Sequence, residues 1–145
     1  MRYPIIENKR LSHNYFKLTL DISGDANTPI PGQFYTIRCS ETKDPLLRRP
    51  FSMHKMIRRE GLVGLEILYR VIGRGTEWLS RRRRGESLDT MGPLGNGFII
   101  EDAVTNLVLV ARGIGIAPLY AVGERVRVRN RSANIHILIG ARIKE

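Results

Sequence analysis

Leu47-Arg48-Arg49-Pro50-Phe51-Ser52 is the most informative stretch of this chain because of the glycine-containing runs that follow it. Those runs are Gly73-Arg74-Gly75-Thr76, Gly92-Pro93-Leu94-Gly95-Asn96-Gly97-Phe98 and Gly113-Ile114-Gly115-Ile116-Ala117-Pro118. Each run alone is weak evidence, since glycine pairs are common in turns. In this order the four runs predict a flavin site followed by a nucleotide site.

Short alternating segments surround the first of these runs. Apolar and polar residues alternate strongly over residues 15–22, 33–39 and 62–71, and weakly over residues 51–57, as in half-buried strands. Turn-forming residues at 23–25, 29–32, 43–45 and 59–61 separate these segments. The pattern predicts a mainly β fold, an antiparallel barrel or sandwich. One helical insertion is predicted over residues 76–82, with Thr76 as its N-cap.

The pattern changes near residue 101. Residues 107–111 are continuously apolar, which is typical of a strand covered on both faces, and residues 135–139 predict a second such strand. Between them Pro118 is predicted at the first helical position, with apolar residues following at helical spacing. One β-α-β unit cannot cover both faces of its own sheet. We therefore predict a barrel domain over residues 1–101 and an incomplete α/β nucleotide-binding unit over residues 102–145.

The residue types in the first two runs suit a flavin and its pyrophosphate. The forked guanidinium of Arg49 matches a phosphate, the hydroxyl of Ser52 can hydrogen-bond the ring, and Pro50 fixes the backbone between them. Phe51 lies either against the ring or in the barrel interior. Backbone N–H groups at a helix N-terminus, here Gly75-Thr76, also bind phosphate. A strand-end arginine and an ordinary capped helix are the alternative interpretations.

Gly113 and Gly115 have the sequence context of a dinucleotide-binding turn, since a buried strand precedes them and a helix follows. The match to the full fingerprint is partial, because Pro118 occupies the position of the third glycine. Arg142, after the second strand, is of the type that binds a 2′-phosphate, and this indication is weak.

The net charge of +10 comes mostly from arginines at 81–84 and 125–131. Clustered cations suit nucleic acid, but the chain has no array of aromatics interleaved with them. Nucleic acid is therefore disfavoured, and residues 81–84 are predicted to form the solvated end of a helix. Cofactor phosphates or an acidic protein partner would use the same charge.

Other candidates for chemistry are few. The single cysteine, Cys39, cannot form an internal disulfide or hold a metal or an iron–sulfur cluster alone, and it is predicted to lie in the core. His13, His54 and His136 are isolated in sequence, so no metal site is predicted. No catalytic side chain is predicted, because a flavin performs its own electron transfer. The sequence has no signal-peptide or membrane-spanning run, and we expect a cytoplasmic protein.

The chain resembles the electron-transfer subunit of class B dihydroorotate dehydrogenase, within the ferredoxin-NADP reductase-like superfamily. The resemblance rests on residues 31–34, 47–52, 68–70, 75–76, 91–98 and 113–120. It implies an antiparallel Greek-key barrel that binds FAD, followed by an NAD-binding α/β domain and a [2Fe-2S] segment. It also implies a hetero-oligomer with an FMN-containing catalytic subunit that oxidises dihydroorotate in pyrimidine synthesis.

The resemblance assigns roles residue by residue. It implies that the flavin and its pyrophosphate are held by Arg49, Pro50, Phe51 and Ser52. The backbone of Leu68, Tyr69 and Arg70 would line the flavin, and Gly75 and Thr76 would bind phosphate. Gly113 and Gly115 would meet NAD(H).

Three departures accompany the resemblance. Arg112 stands where the family has glycine, and the rest of the NAD domain and the cluster cysteines are not in the sequence. A C-terminally truncated oxidoreductase subunit without independent turnover is therefore expected. The alternatives are a flavoprotein subunit of a ferredoxin:NAD(P) or sulfhydrogenase-type reductase, a cofactor-free basic barrel that binds RNA or an acidic protein, and a decayed fragment that binds nothing. Residues 93–98 favour the dihydroorotate system.

Overall fold

Residues 1–141 are described by the computed structural model, and they form a β-rich part followed by a small α/β part. The strands of the first part are β1 (Arg2–Ser12), β2 (Tyr15–Asp21), β3 (Phe34–Ile37), β4 (Arg49–Ser52), β5 (Lys55–Arg59), β6 (Leu62–Arg70) and β7 (Ser87–Leu94), with helix α1 (Arg74–Ser80) between β6 and β7. The second part comprises β8 (Asn106–Arg112), a 3-10 turn (Gly113–Gly115), α2 (Ile116–Arg129) and β9 (Asn134–Gly140).

The first seven strands form one antiparallel sheet in the order β4-β3-β7-β1-β2-β6-β5. The order is not sequential, since β1 lies between β7 and β2, as in a Greek-key arrangement. The sheet curls until β4 meets β6: the rings of Phe51 and Tyr69 lie 5.8 Å apart, edge to face. The interior is filled by apolar side chains from all seven strands and α1. The predicted mainly β, antiparallel fold is confirmed.

The weak strand predicted over residues 51–57 is two strands. The chain leaves β4 at Met53, whose N–H donates to the Gln33 carbonyl at 3.1 Å. One residue later the N–H of His54 donates to the Glu66 carbonyl of β6 at 2.9 Å, near the other end of the sheet order. Met53 is buried at this crossing, with 1% of its surface exposed. The alternation weakens there because the chain changes its pairing partner within two residues.

The sequence runs at residues 31–34 and 92–98 pack against each other. The run from Gly92 to Phe98 packs on the loop before β3, where the Phe98 N–H donates to the Pro31 carbonyl at 2.8 Å. The side-chain amide of Gln33 donates to the Gly95 carbonyl at 2.9 Å and its oxygen accepts from the Ile30 N–H at 3.0 Å. These contacts join the loop before β3 to the segment that follows β7.

Helix α1 begins and ends two residues earlier than predicted. Gly73 is its N-cap, and Thr76 lies at the third helical position rather than at the cap. The Thr76 hydroxyl accepts from the N–H groups of Ile72 and Gly73 at 3.0 and 3.2 Å. The prediction of Thr76 as N-cap is therefore wrong in position, although the side chain does stabilise the helix start.

The four arginines after α1 are not uniformly solvated, contrary to the prediction. The guanidinium of Arg82 lies 4.4 Å from the centre of the Trp78 ring, and only 21% of its side chain is exposed. It forms ion pairs with Glu41 at 3.3 Å and Glu86 at 3.2 Å. Arg82 is therefore half-buried and stabilises the turn after α1, whereas Arg83 and Arg84 are exposed.

Cys39 lies in the core, as predicted, with none of its surface exposed. Burial raises the pKa of its thiol to about 11, and the nearby Arg49 guanidinium lowers it by a smaller amount.

The α/β part is a two-stranded parallel sheet with one helix. β8 and β9 pair in register from Asn106 with Asn134 to Arg112 with Gly140. Val122 and Val126 of α2 are buried, as is Leu109 of β8, but the exposed fractions of Val108 and Val110 are 60% and 69%. The strand prediction for residues 107–111 is confirmed, and the prediction of cover on both faces is wrong within the described residues. No helix among residues 1–141 is long and apolar enough to cross a membrane.

Helix α2 starts earlier than predicted. It begins at Ile116, so Pro118 occupies the third helical position rather than the first. The first-turn N–H groups have no intrahelical acceptor, and a proline there removes no helical hydrogen bond.

Candidate functional site

Strand β4, which carries the predicted flavin residues, lies at the end of the sheet order, and within residues 1–141 it pairs only with β3. An edge position tolerates Pro50, which lacks a backbone N–H, and Pro50 lies opposite Thr36. The side chain of Phe51 points into the barrel and is 7% exposed. Of the two positions open to Phe51 from the sequence, the structure shows the barrel interior.

Arg49 and Gly75 lie against each other, as the predicted phosphate site requires. A Cβ atom placed on Gly75 would lie 3.3 Å from the Arg49 Nε atom and 3.3 Å from the Cys39 Cβ atom. The Arg49 guanidinium also donates to the Leu47 carbonyl at 2.6 Å. The absence of a side chain at position 75 thus lets the first turn of α1 approach the arginine closely. Residues 26 positions apart in sequence form one cationic corner.

Thr76 has a different place from the one predicted. Besides accepting two backbone hydrogen bonds, its hydroxyl donates to the Gly73 carbonyl at 2.9 Å. The hydroxyl is therefore occupied by the chain's own backbone. Gly75 and Thr76 are adjacent in sequence, but only Gly75 is buried against Arg49.

The predicted lining residues on β6 lie beside β4. Tyr69 points inward, is 3% exposed, stacks on Phe16 at 5.5 Å and donates its hydroxyl to the Asn8 Oδ1 atom at 3.0 Å. Burial raises the pKa of Tyr69 well above its ordinary value. Leu68 is half-buried, and Arg70 is exposed with its guanidinium 5.7 Å from the Tyr15 ring.

The glycine turn after β8 has the geometry of a strand-to-helix turn. Gly113 has a φ of +54°, a left-handed conformation that favours glycine. Arg112 is the last residue of β8 and is exposed; a Cβ atom on Gly140 would lie 3.8 Å from its Cγ atom. Arg112 and its pairing partner Gly140 are the last residues of the two parallel strands, so Arg112 lies at their shared carboxyl edge. Arg142 lies outside the described residues.

His54, isolated in sequence, contacts the α/β part. Its Nδ1 atom lies 2.7 Å from the carbonyl oxygen of Ala117, and its ring lies 4.8 Å from the Tyr120 ring. Lys55 Nζ lies 3.3 Å from both the Tyr120 hydroxyl and the Glu124 carboxylate. The hydrogen bond from Lys55 to Tyr120 is the largest cause of a raised pKa at Lys55. No local sequence pattern predicts this contact, because its partners are more than 60 residues apart in the chain.

The described part of the chain contains no cluster of potential metal ligands. No three of its histidine, cysteine, aspartate and glutamate side chains lie close enough together to hold a metal ion.

Comparison with known proteins finds curated relatives that match most of this chain. It is 40% identical over 131 residues to the dihydroorotate dehydrogenase B (NAD(+)) electron transfer subunit of Desulforamulus reducens, covering 90% of this chain and 48% of that protein. The subunit of the same name from Geobacillus thermodenitrificans is 34% identical over 141 residues, covering 96% of this chain and 53% of that protein. The chain thus spans about half the length of the curated relatives it matches. No protein-family model matches it.

A solved structure shares the whole fold. The NADH-dependent reduced ferredoxin-NADP oxidoreductase, solved in a study of flavin-based electron bifurcation, superposes with a TM-score of 0.81 and 30% identity. The match covers 98% of this chain and 49% of that one. Both parts of the described chain, the barrel and the α/β unit, therefore have counterparts in a protein of this type.

Proposed function

We propose that this chain, which belongs by homology to the dihydroorotate dehydrogenase B electron transfer subunits and has the ferredoxin-NADP reductase-like fold, is the flavin-binding part of an electron-transfer protein. The observation that carries the proposal is the cationic corner of Arg49 and Gly75. It combines a guanidinium with the first turn of α1, where Gly75 has no side chain to separate the helix backbone from Arg49. FAD is the proposed cofactor, because a pyrophosphate is the group that such a corner suits.

The chain's own residues divide the work of binding. Arg49 supplies the charge for the pyrophosphate, and Gly75 lets the backbone of α1 approach it. Ser52, half-buried at the end of edge strand β4, supplies a hydroxyl for the ring, and β6 lines the site with the backbone of residues 68–70. Thr76 holds the helix start in place rather than contacting phosphate. When bound, FAD supplies the exchange between a two-electron nicotinamide donor and one-electron carriers.

The wider role follows the relatives. Gly113 and Gly115 are the proposed contacts for NAD(H), and a dihydroorotate dehydrogenase catalytic subunit containing FMN is the proposed partner in a cytoplasmic hetero-oligomer. A [2Fe-2S] cluster would need ligands from outside this sequence, which has one cysteine. A second candidate is a subunit of a ferredoxin:NAD(P) reductase, favoured by the match with the NADH-dependent ferredoxin-NADP oxidoreductase.

The test of this function is flavin uptake by the purified chain. We expect a flavin absorbance band after incubation with FAD and desalting. Gly75→Ala is expected to weaken uptake by about tenfold, because the added methyl group pushes the Arg49 and Cys39 side chains away from α1. The proposed charge-assisted contact between Arg49 and the pyrophosphate is then displaced. Gly73→Ala is the matched control, since a Cβ atom there meets nothing within 4 Å. A colourless folded protein, or RNA binding with steep salt dependence in its place, would refute the proposal.

Arg112 is expected to slow reduction of the bound flavin by NADH. The bulky Arg112 side chain stands at the turn where the protein backbone must approach the pyrophosphate of the nucleotide closely. Arg112→Gly is therefore expected to raise the rate constant of reduction about tenfold, by restoring that approach. Anaerobic stopped-flow absorbance at the flavin band measures it, and Arg112→Lys, which keeps bulk and charge, should behave as the wild type. Rapid reduction of the wild type would contradict this prediction.

A further inference from the structure

The β4–β5 crossing and helix α2 are joined by a cluster of polar contacts, which we call the interlobe clamp. It consists of His54 and Lys55 on the barrel, and Ala117, Tyr120 and Glu124 on α2. A carbonyl oxygen only accepts hydrogen bonds, so the His54 Nδ1 atom must carry a proton and donate it to Ala117. The His54 ring then lies against Tyr120, and Lys55 reaches over that ring, 5.3 Å from its centre.

The clamp lies between the two halves of the proposed reaction site. His54 is two residues after Ser52, about 7 Å along an extended chain. Ala117 is two residues after Gly115, in the first turn of α2. Both connections are short and ordered, so a movement of the clamp is transmitted to the flavin strand on one side and to the nucleotide turn on the other.

The rest of the contact between α2 and the barrel is thinly packed. Ala121 reaches the barrel interior and is 5% exposed. Next to it a cavity of about 400 Å³ lies between Met53 and Met56 of the barrel and Val128 near the end of α2. Small side chains and an open cavity restrain orientation poorly, since dispersion needs close contact on both sides. The directional contacts of the clamp therefore restrain the first two turns of α2, whereas Arg129 at the far end of the helix binds the Ile100 carbonyl and the Asp102 carboxylate.

We propose that His54 and Lys55 are positioning residues that hold the nucleotide turn at Gly113 and Gly115 over the flavin strand β4. This role deepens the proposed function and rests on it. Neither side chain touches the reacting groups in this proposal. Transfer between two bound rings demands approach to about 3–3.5 Å, and a displacement of about 1 Å can cost about a hundredfold in rate. Loss of the clamp therefore lowers the rate of transfer without lowering flavin affinity.

The experiment uses His54→Ala and, as its rescue, His54→Asn, whose amide nitrogen is attached at the same carbon position as Nδ1 and can donate to Ala117. Arg59→Ala is the matched control, because Arg59 is an exposed residue on β5 that does not line the cavity between the barrel and α2. Lys55→Met, which keeps the apolar stem, tests the second arm of the clamp. Two readouts are taken: amide hydrogen exchange over residues 116–122, with and without FAD, and the rate constant of flavin reduction by NADH.

In His54→Ala we expect exchange over residues 116–122 to rise about tenfold or more, because the first turn of α2 loses its anchor. The reduction rate is expected to fall by about tenfold or more at unchanged flavin content. Lys55→Met should show both effects more weakly, His54→Asn should restore both, and Arg59→Ala should change neither.

Three results would overturn the positioning role while leaving flavin binding intact. The first is unchanged exchange in His54→Ala. The second is faster exchange with an unchanged reduction rate, which would make the clamp a purely structural contact. The third is absence of reduction by either NADH or NADPH, even in an Arg112→Gly background. Failure of the wild type to take up FAD is a separate outcome that refutes the proposed function itself, and the positioning role with it.

Discussion

Replacement of Arg49 by alanine is expected to weaken FAD binding by about 10- to 100-fold, because a hydrogen bond to a charged group contributes about 1.5–3 kcal/mol. The guanidinium lies against the start of α1, within 3.3 Å of where a Gly75 side chain would begin. Titration of FAD into the apoprotein, followed by quenching of flavin fluorescence, measures the dissociation constant. Arg49→Lys should fall between wild type and alanine, since it keeps the charge and loses the fork.

The control for Arg49 must remove a charge without removing structure. Arg84 is exposed, close in sequence to α1, and suitable for this purpose. Deletion of all four arginines at 81–84 would be a poor control, because Arg82 packs on Trp78 and bridges Glu41 and Glu86. Equal weakening by Arg49→Ala and Arg84→Ala would show that FAD is attracted by net charge alone and would contradict the assigned corner.

Replacement of Gly92 by alanine is expected to lower the free energy of unfolding by about 3 kcal/mol, the upper range for overpacking a core. A Cβ atom at this position would lie 2.4 Å from the Cδ1 atom of the Tyr35 ring. Tyr35 has no exposed surface, and its ring is fixed edge-on to that of Tyr3 at 6.4 Å. The ring can therefore move away from the added methyl group only by displacing its neighbours in the core.

Urea denaturation followed by far-ultraviolet circular dichroism measures this loss. Gly24→Ala is the matched control, since a Cβ atom there meets nothing within 4 Å, and its effect should stay within about 0.5 kcal/mol. A loss below about 1 kcal/mol in Gly92→Ala would mean that the β3–β7 packing yields easily. In that case the glycine run at 92–98 would need an explanation other than close packing.

Alternation and turn chemistry were sufficient to predict most of the barrel from the sequence, because each strand faces core on one side and solvent on the other. The same reasoning did not find β1, whose apolar and polar residues do not alternate along its length, or β7, which contains Gly92 and Pro93. It also merged β4 and β5, because the change of pairing partner at Met53 and His54 leaves no mark in a local pattern.

The candidate site was predicted in its chemistry rather than its geometry. Arg49 and Gly75 were chosen for residue type, and the fold brings them together. Thr76 was expected to face a ligand, but the backbone N–H groups of the preceding turn compete successfully for its hydroxyl. The contact of His54 with Ala117 depends on the relative placement of barrel and helix, which no periodicity encodes. Tertiary contacts of this kind become visible only in the folded chain.

The position of Trp78, on which Arg82 stacks, has a spectroscopic consequence. Trp78 is the single tryptophan of the sequence, and it lies one helical turn from Gly75, about 5 Å along the axis of α1. Its emission overlaps the near-ultraviolet absorption of a flavin, so a bound isoalloxazine would act as an energy acceptor for this one indole. The chain therefore carries its own optical reporter, through which cofactor loading can be followed without any attached dye.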